Sequence, residues 1–111
     1  MKVEQQQVGT VEVFTPMGPL VDQDGETFTK ALLVRVKSPN PRIVLAMQEV
    51  PYADSSALEG LLDATDELHE RASSLKLANV TSTCREIFEL TGLAARFRFL
   101  KDVQDAVKSF L

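Results

Sequence analysis

Asp54, Ser55 and Ser56 set a carboxyl and two hydroxyls side by side in VPYADSSALEGLL, between an apolar run and an amphipathic one. Three chemistries are open to them: capping a helix, attacking a substrate, or accepting a phosphoryl group. Ser56 followed three residues later by Glu59 has the spacing of a capping box, in which each side chain satisfies a backbone donor of the other. On that reading Ser56 is the cap, and Ser55 lies just outside the helix with its hydroxyl in water beside Asp54. Nucleophilic catalysis lacks its other parts. The small flanking glycines of a hydrolase elbow are missing around Ser55. The single histidine, His69, lies 14 residues along the same helix, about 21 Å away at the helical rise. A phosphoacceptor role for Asp54 would need more carboxylates at the end of the first strand to hold magnesium, and Thr10 to Pro16 offers only Glu12. A glycine-rich phosphate loop is also absent.

The remaining reactive side chains point the same way. Cys84 is the one cysteine, so it has no internal disulfide partner, and its helical spacing with Ile87, Phe88 and Thr91 makes it a small core residue. One cysteine and one histidine are too few for a zinc site. No catalytic residue, metal or cofactor is expected.

With 12 Lys and Arg against 16 Asp and Glu, the net charge is −4 and the basic residues are scattered. A nucleic-acid partner requires a concentrated basic surface, so none is expected. At 44% hydrophobic and 25% charged, the 111 residues have the balance of an ordinary globular chain. They are expected to form one domain, 1–111. The start, MKVEQQQVGT, lacks the apolar core of a signal peptide, and no run approaches the roughly 20 apolar residues of a membrane span. The expectation is a cytoplasmic protein without direct membrane insertion.

The elements that must position the Asp54 turn are legible in outline. Val8, Val11, Val13 and Phe14 suggest two short strands with a bend near Gly9, halted by the turn cluster Thr15 to Pro19. Glu26 to Lys37 has the length of a helix, although its TFT and VRV pieces favour strand. After the SPNP loop, Ile43 to Met47 is continuously apolar, as in a strand covered on both faces. Leu58, Leu61, Leu62, Thr65, Leu68 and Ala72 then take helical spacing. The opposite face carries Glu59, Asp63, Asp66, Glu67 and Glu70, relieved only by Arg71, which makes it a solvated face or a docking surface for a basic partner. Leu75 to Val80 is another strand, and Thr81 to Thr83 supplies caps for the helix CREIFELT. Gly92 sits where a left-handed C-terminal cap belongs, with Leu93 placed to fold back on Phe88. Phe97 to Leu100 alternates as a strand, and Asp102 can cap a last helix carrying Val103, Ala106, Val107 and Phe110. Strands alternating with helices predict an α/β fold with a mostly parallel sheet of four to five strands and about four helices, the N-terminal strand adding in antiparallel fashion.

In open α/β sheets, function gathers in turns at the carboxyl ends of strands, and the Asp54 turn is one. Its pattern resembles the STAS domain family, of the anti-sigma-factor antagonist type: a hydrophobic strand, Asp-Ser-Ser opening a helix, and an end of the form ELTGLAARFRFLKDVQDAVKSF. Ala57 stands at the family's usual glycine. The family's Gly-x-Leu-Asp segment appears as Gly18, Pro19, Leu20, Val21, with Asp22 next in line for the acid. The resemblance implies a non-enzymatic partner switch that regulates transcription. Ser55 would be phosphorylated by an anti-sigma factor serine kinase and reset by a serine phosphatase. Asp54, Ser55, Ser56, Ala57 and Asp22 would form the partner-binding surface of a monomer or weak dimer. The alternative is a phosphorylation-independent STAS subunit of a larger assembly, such as a stressosome-like scaffold or a lipid-transport complex.

Overall fold

Gly9, at φ +61°, and Thr10 make a two-residue turn that folds β1 (Val3–Val8) back on β2 (Val11–Pro16), with Val8 opposite Val11. Glycine is suited to this turn because it occupies the left-handed region without steric cost. The computed structural model describes residues 1–111. From β2 onward the chain alternates: α1 (Asp22–Val36), β3 (Ile43–Ala46), α2 (Ser55–Glu70), β4 (Lys76–Ala78), α3 (Ser82–Leu90), β5 (Arg98–Leu100) and α4 (Val103–Lys108). The sheet order is β1-β2-β3-β4-β5, antiparallel between β1 and β2 and parallel thereafter. The sheet is therefore mixed, with four parallel strands and one antiparallel edge, as the alternation of elements predicts.

Alternation along the strands builds two cores. Phe14, Ile43, Leu45 and Leu77 face α1, α2 and α3, meeting Leu32, Leu61 and Phe88, all at most 1% exposed. Phe88 packs edge-on against both Phe97 and Phe99, with centroids 5.2 and 5.4 Å away, an arrangement favoured by the ring quadrupoles. On the opposite face Val11, Val13, Val44, Ala46 and Ala78 pack on Ala106 of α4. Cys84 is fully buried in the larger core, as its spacing predicts, and burial pushes its thiol pKa up.

Helices α1 and α2 pack closely. A Cβ built on Gly60 would stand 2.4 Å from Thr29 Cβ, and one on Gly25 would stand 3.2 Å from Ala57 Cβ. Two small residues thus set the spacing of the helices whose first turns carry the Asp22 and Asp54 segments.

Several boundaries differ from the sequence expectation. β1 extends to Val3 through the polar run Gln5-Gln6-Gln7, which carries no periodic signal because this edge strand is exposed on both faces. Thr15 and Pro16 belong to β2 rather than to the turn. Helix α1 begins at Asp22, not Glu26, and runs through TFT and VRV because Phe28, Thr29, Leu32 and Val36 keep a buried helical face. Tertiary burial overrides the strand propensity of the β-branched residues there. Ala72 lies beyond the end of α2, exposed and at φ +56°, and not on its core face. Thr81 caps α3, Asp102 caps α4, and Gly92 is left-handed at φ +75°, as their sequence positions predict. The Leu93 amide donates to Phe88 O at 2.9 Å, closing the expected helix end.

Candidate functional site

The turns leaving β2, β3 and β4 meet at the carboxyl end of the sheet and are stitched together. Leu20 and Ala53 form a parallel bridge in which the Leu20 amide donates to Tyr52 O and the Asp54 amide donates to Leu20 O, each at 3.0 Å. Across the next gap, the Thr81 hydroxyl donates to Val50 O at 2.9 Å while accepting from the Cys84 amide at 3.3 Å. Each turn is held by its neighbour, which limits local opening.

Asp54 is the hub of this arrangement. Its backbone is extended (φ −89°, ψ 173°), and its Oδ1 accepts from the Ala57 amide at 2.9 Å, which makes it the N-cap of α2. Its Oδ2 accepts from the Asp22 amide at 2.8 Å, at the start of α1. Helix α1 has no side-chain cap of its own, so one carboxylate serves two helix N-termini. Asp22 needs that support: it sits at φ +51°, a left-handed conformation that costs a non-glycine residue about 1 kcal/mol. The amides of Ala57 and Asp22 hold the Asp54 carboxyl below the usual carboxylate range.

The expected capping box of Ser56 and Glu59 is therefore not formed. Ser56 is already inside the helix, and Glu59 is exposed. A carboxylate can accept a bond within its own helix and another across the turn, whereas a hydroxyl at position 56 lies two residues past the capping position and reaches neither amide. With Asp54 as the cap, both serines are left without a capping role. Ser55 and Ser56 occupy the first turn of α2, exposed, with neither hydroxyl hydrogen-bonded within the chain. Ala57, expected on the partner surface, is fully buried. Its methyl fills the space opposite Gly25, so it spaces the helices and presents no side chain outward. Of the expected surface residues, the fold brings Asp22, Asp54, Ser55 and Ser56 together.

The acidic face of α2 divides in two. Asp66 pairs with Arg96, and Glu67 pairs with Arg71 at 3.1 Å. Glu59 and Asp63, four and eight residues beyond Ser55 and so on its side of the helix, are exposed and form no ion pair. His69 lies exposed near the far end of the continuous helix, where it cannot serve Ser55. Tyr52, half exposed beside the Leu20 bridge, is a surface aromatic that the sequence reading passed over; an aromatic just before the Asp-Ser-Ser run was the available signal. A separate apolar groove of 580 Å³ lies between β1 and α1, lined by Val3, Phe14, Phe28 and Val34, and includes no residue of the Asp54 turn. No helix is long and apolar enough to cross a membrane.

The family model described as the STAS domain matches residues 2–106. Among solved structures, a candidate anti-sigma factor antagonist from Thermotoga maritima superposes with a TM-score of 0.88 at 16% identity, covering 96% of this chain and 92% of that one. The anti-sigma factor antagonist SpoIIAA in its unphosphorylated form gives 0.81 at 19% identity, with 98% and 96% covered. The murine anion transporter Slc26a9 gives 0.77 at 17% identity, covering 94% of this chain and 18% of the transporter. No curated protein sequence matches. At these identities the structural likenesses speak for the fold.

Proposed function

The chain belongs to the STAS domain family, and from that premise we propose that it is a non-enzymatic partner switch of the anti-sigma-factor antagonist kind, with Ser55 as its phosphoacceptor. Unmodified, the surface of Asp22, Asp54, Ser55 and Ser56 binds an anti-sigma serine kinase and so alters transcription; a serine phosphatase restores it after modification. The observation that carries this reading is an exposed, unbonded Ser55 hydroxyl on a turn braced from both sides by Asp54.

The bracing explains how modification could switch binding without unfolding. Phosphate adds about −1.5 to −2 charge, and the helix N-terminus tolerates it through the dipole. Asp54 already occupies the Ala57 amide, so the phosphate oxygens would face water and any partner. Asp54 and Glu59 stand nearby, and residues 50–68 contain no Lys, Arg or His. The added charge would stay unneutralised and repel a partner that fits the uncharged serine.

The test compares Ser55→Ala and Ser55→Asp for binding to the anti-sigma-type kinase of the same cells, together with phosphopeptide mapping. Ser55→Ala should bind as the parent does, and Ser55→Asp should bind about 100-fold more weakly. Equal binding by both variants would remove the switch.

A second reading, a phosphorylation-independent subunit of a larger assembly, draws support from the apolar groove between β1 and α1. It predicts stable association with a permease and ATPase that neither Ser55 variant disturbs.

A further inference from the structure

At the amino ends of the parallel strands, opposite the Asp54 turn, lies a cleft of 670 Å³ walled by Arg42, Arg71, Lys76, Asn40, Ser73 and Ser109. Three cations line it and no carboxylate does, in a chain whose net charge is −4.

Lys76, the first residue of β4, is only 4% exposed. Its ammonium donates to Ser109 Oγ at 2.6 Å and lies 3.6 Å from the centre of the Phe110 ring. The Ser109 proton is committed to Ala106 O, so Ser109 can only accept, and two ammonium protons remain. No acid offsets the charge: burial, then Arg98 and Arg42, push the Lys76 pKa down. A buried cation without a counter-charge is costly and is ordinarily paired. Arg42 uses Nη1 on the Thr10 hydroxyl, which leaves the rest of its guanidinium available. Arg71 meets Glu67 through Nη2 alone.

Cations at helix C-termini can serve to neutralise the terminal carbonyls. Here the end of α2 is closed by backbone donors instead, with the Arg71 and Ser73 amides on Leu68 O and the Ala72 amide on His69 O. None of the three cationic side chains donates to a backbone carbonyl; their partners are the Thr10 hydroxyl, Glu67 and Ser109. An ammonium and two guanidinium forks converging on an open polar cleft match the oxygens of a phosphate group.

We propose that this cleft binds a phosphate dianion, as inorganic phosphate or a phosphomonoester, with Lys76 as its buried ammonium and Arg42 and Arg71 as its outer ligands. The site is independent of Ser55 and of the switch assigned to it.

The experiment titrates the full chain with inorganic phosphate, against sodium chloride at matched ionic strength, following amide NMR shifts and calorimetric heat. A saturable response centred on Lys76 and Ser109 is expected. It should weaken about tenfold in Lys76→Met and in Arg42→Gln, and stay unchanged in Ser55→Ala. Because Arg42 is only partly buried, Arg42→Gln provides the reading should Lys76→Met fail to fold. Sedimentation with phosphatidic acid vesicles separates the sources: binding lost in both variants assigns the phosphate to a lipid headgroup, and binding to free phosphate alone assigns it to a soluble ester. A response no larger than that to chloride, with no vesicle binding, overturns the proposal. So does phosphate affinity that both variants retain.

Discussion

The two ends of the sheet treat charge in opposite ways. At the carboxyl end, the Asp54 carboxylate is satisfied by two backbone amides belonging to two helices. At the amino end, Lys76 is only 4% exposed, and its ammonium has one hydroxyl, one aromatic ring and no acid. The first charge is consumed by the architecture, and its surroundings gain rigidity. The second is met only by a hydroxyl and a ring face, with no acid to offset its charge. A charged residue is informative about ligands to the extent that the chain itself fails to satisfy it.

The contrast can be broken at three depths. Gly60→Ala should be the most damaging, because the new methyl would overlap Thr29 and push α2 away from α1, disturbing both ends of the helix together. A loss of about 3 kcal/mol in denaturant unfolding is expected, with amide shifts at both Ser55 and Arg71. Asp54→Ala confines the damage to the carboxyl end, costing about 2 kcal/mol through the lost cap and the released Asp22 amide. Asp54→Asn should cost about half as much, since one amide oxygen can still cap α2. Lys76→Met has the opposite sign: removing an uncompensated buried charge should stabilise the chain by about 1 kcal/mol in phosphate-free buffer.

Titration sharpens the same comparison at smaller amplitude. The folded pKa of Asp54 is depressed below its unfolded value, so its contribution is full above about pH 3.9 and is lost as pH falls through the depressed value. Asp54→Asn should flatten that acid limb. The folded pKa of Lys76 is also depressed, but for a base this means that the unfolded chain holds the proton more tightly. Stability should therefore rise as pH climbs from the folded value toward about 10.4, and Lys76→Met should abolish the rise.

Features that depend on neighbours in the chain were legible from sequence, and features that depend on distant ones were not. Thr81, Asp102 and Gly92 act on amides within a few residues, and β3 announces itself by an unbroken apolar run. The Asp-Ser-Ser turn could be located because it joins that strand to a strongly periodic helix. Which residue capped the helix was not decidable locally, because Asp54 prevails through an amide 32 residues away. Glu67–Arg71 is an i,i+4 pair and was visible, whereas Asp66–Arg96 is made by folding. Lys76 looked like an ordinary strand residue, and only the docking of α4 and the Phe110 ring over its face buries it.

Strand order in space repeats strand order in the chain. No strand must wait for a later one to be slotted beside it, so the sheet can grow one β-α unit at a time from the hairpin at Gly9. Such stepwise growth keeps loop-closure costs low and suits a chain leaving the ribosome amino end first. By the time α2 has emerged, β1 to β3, α1 and the Asp54 bracket are all available, and the Ser55 turn can take shape before Lys76 and Ser109 have emerged to complete the cleft around Arg42.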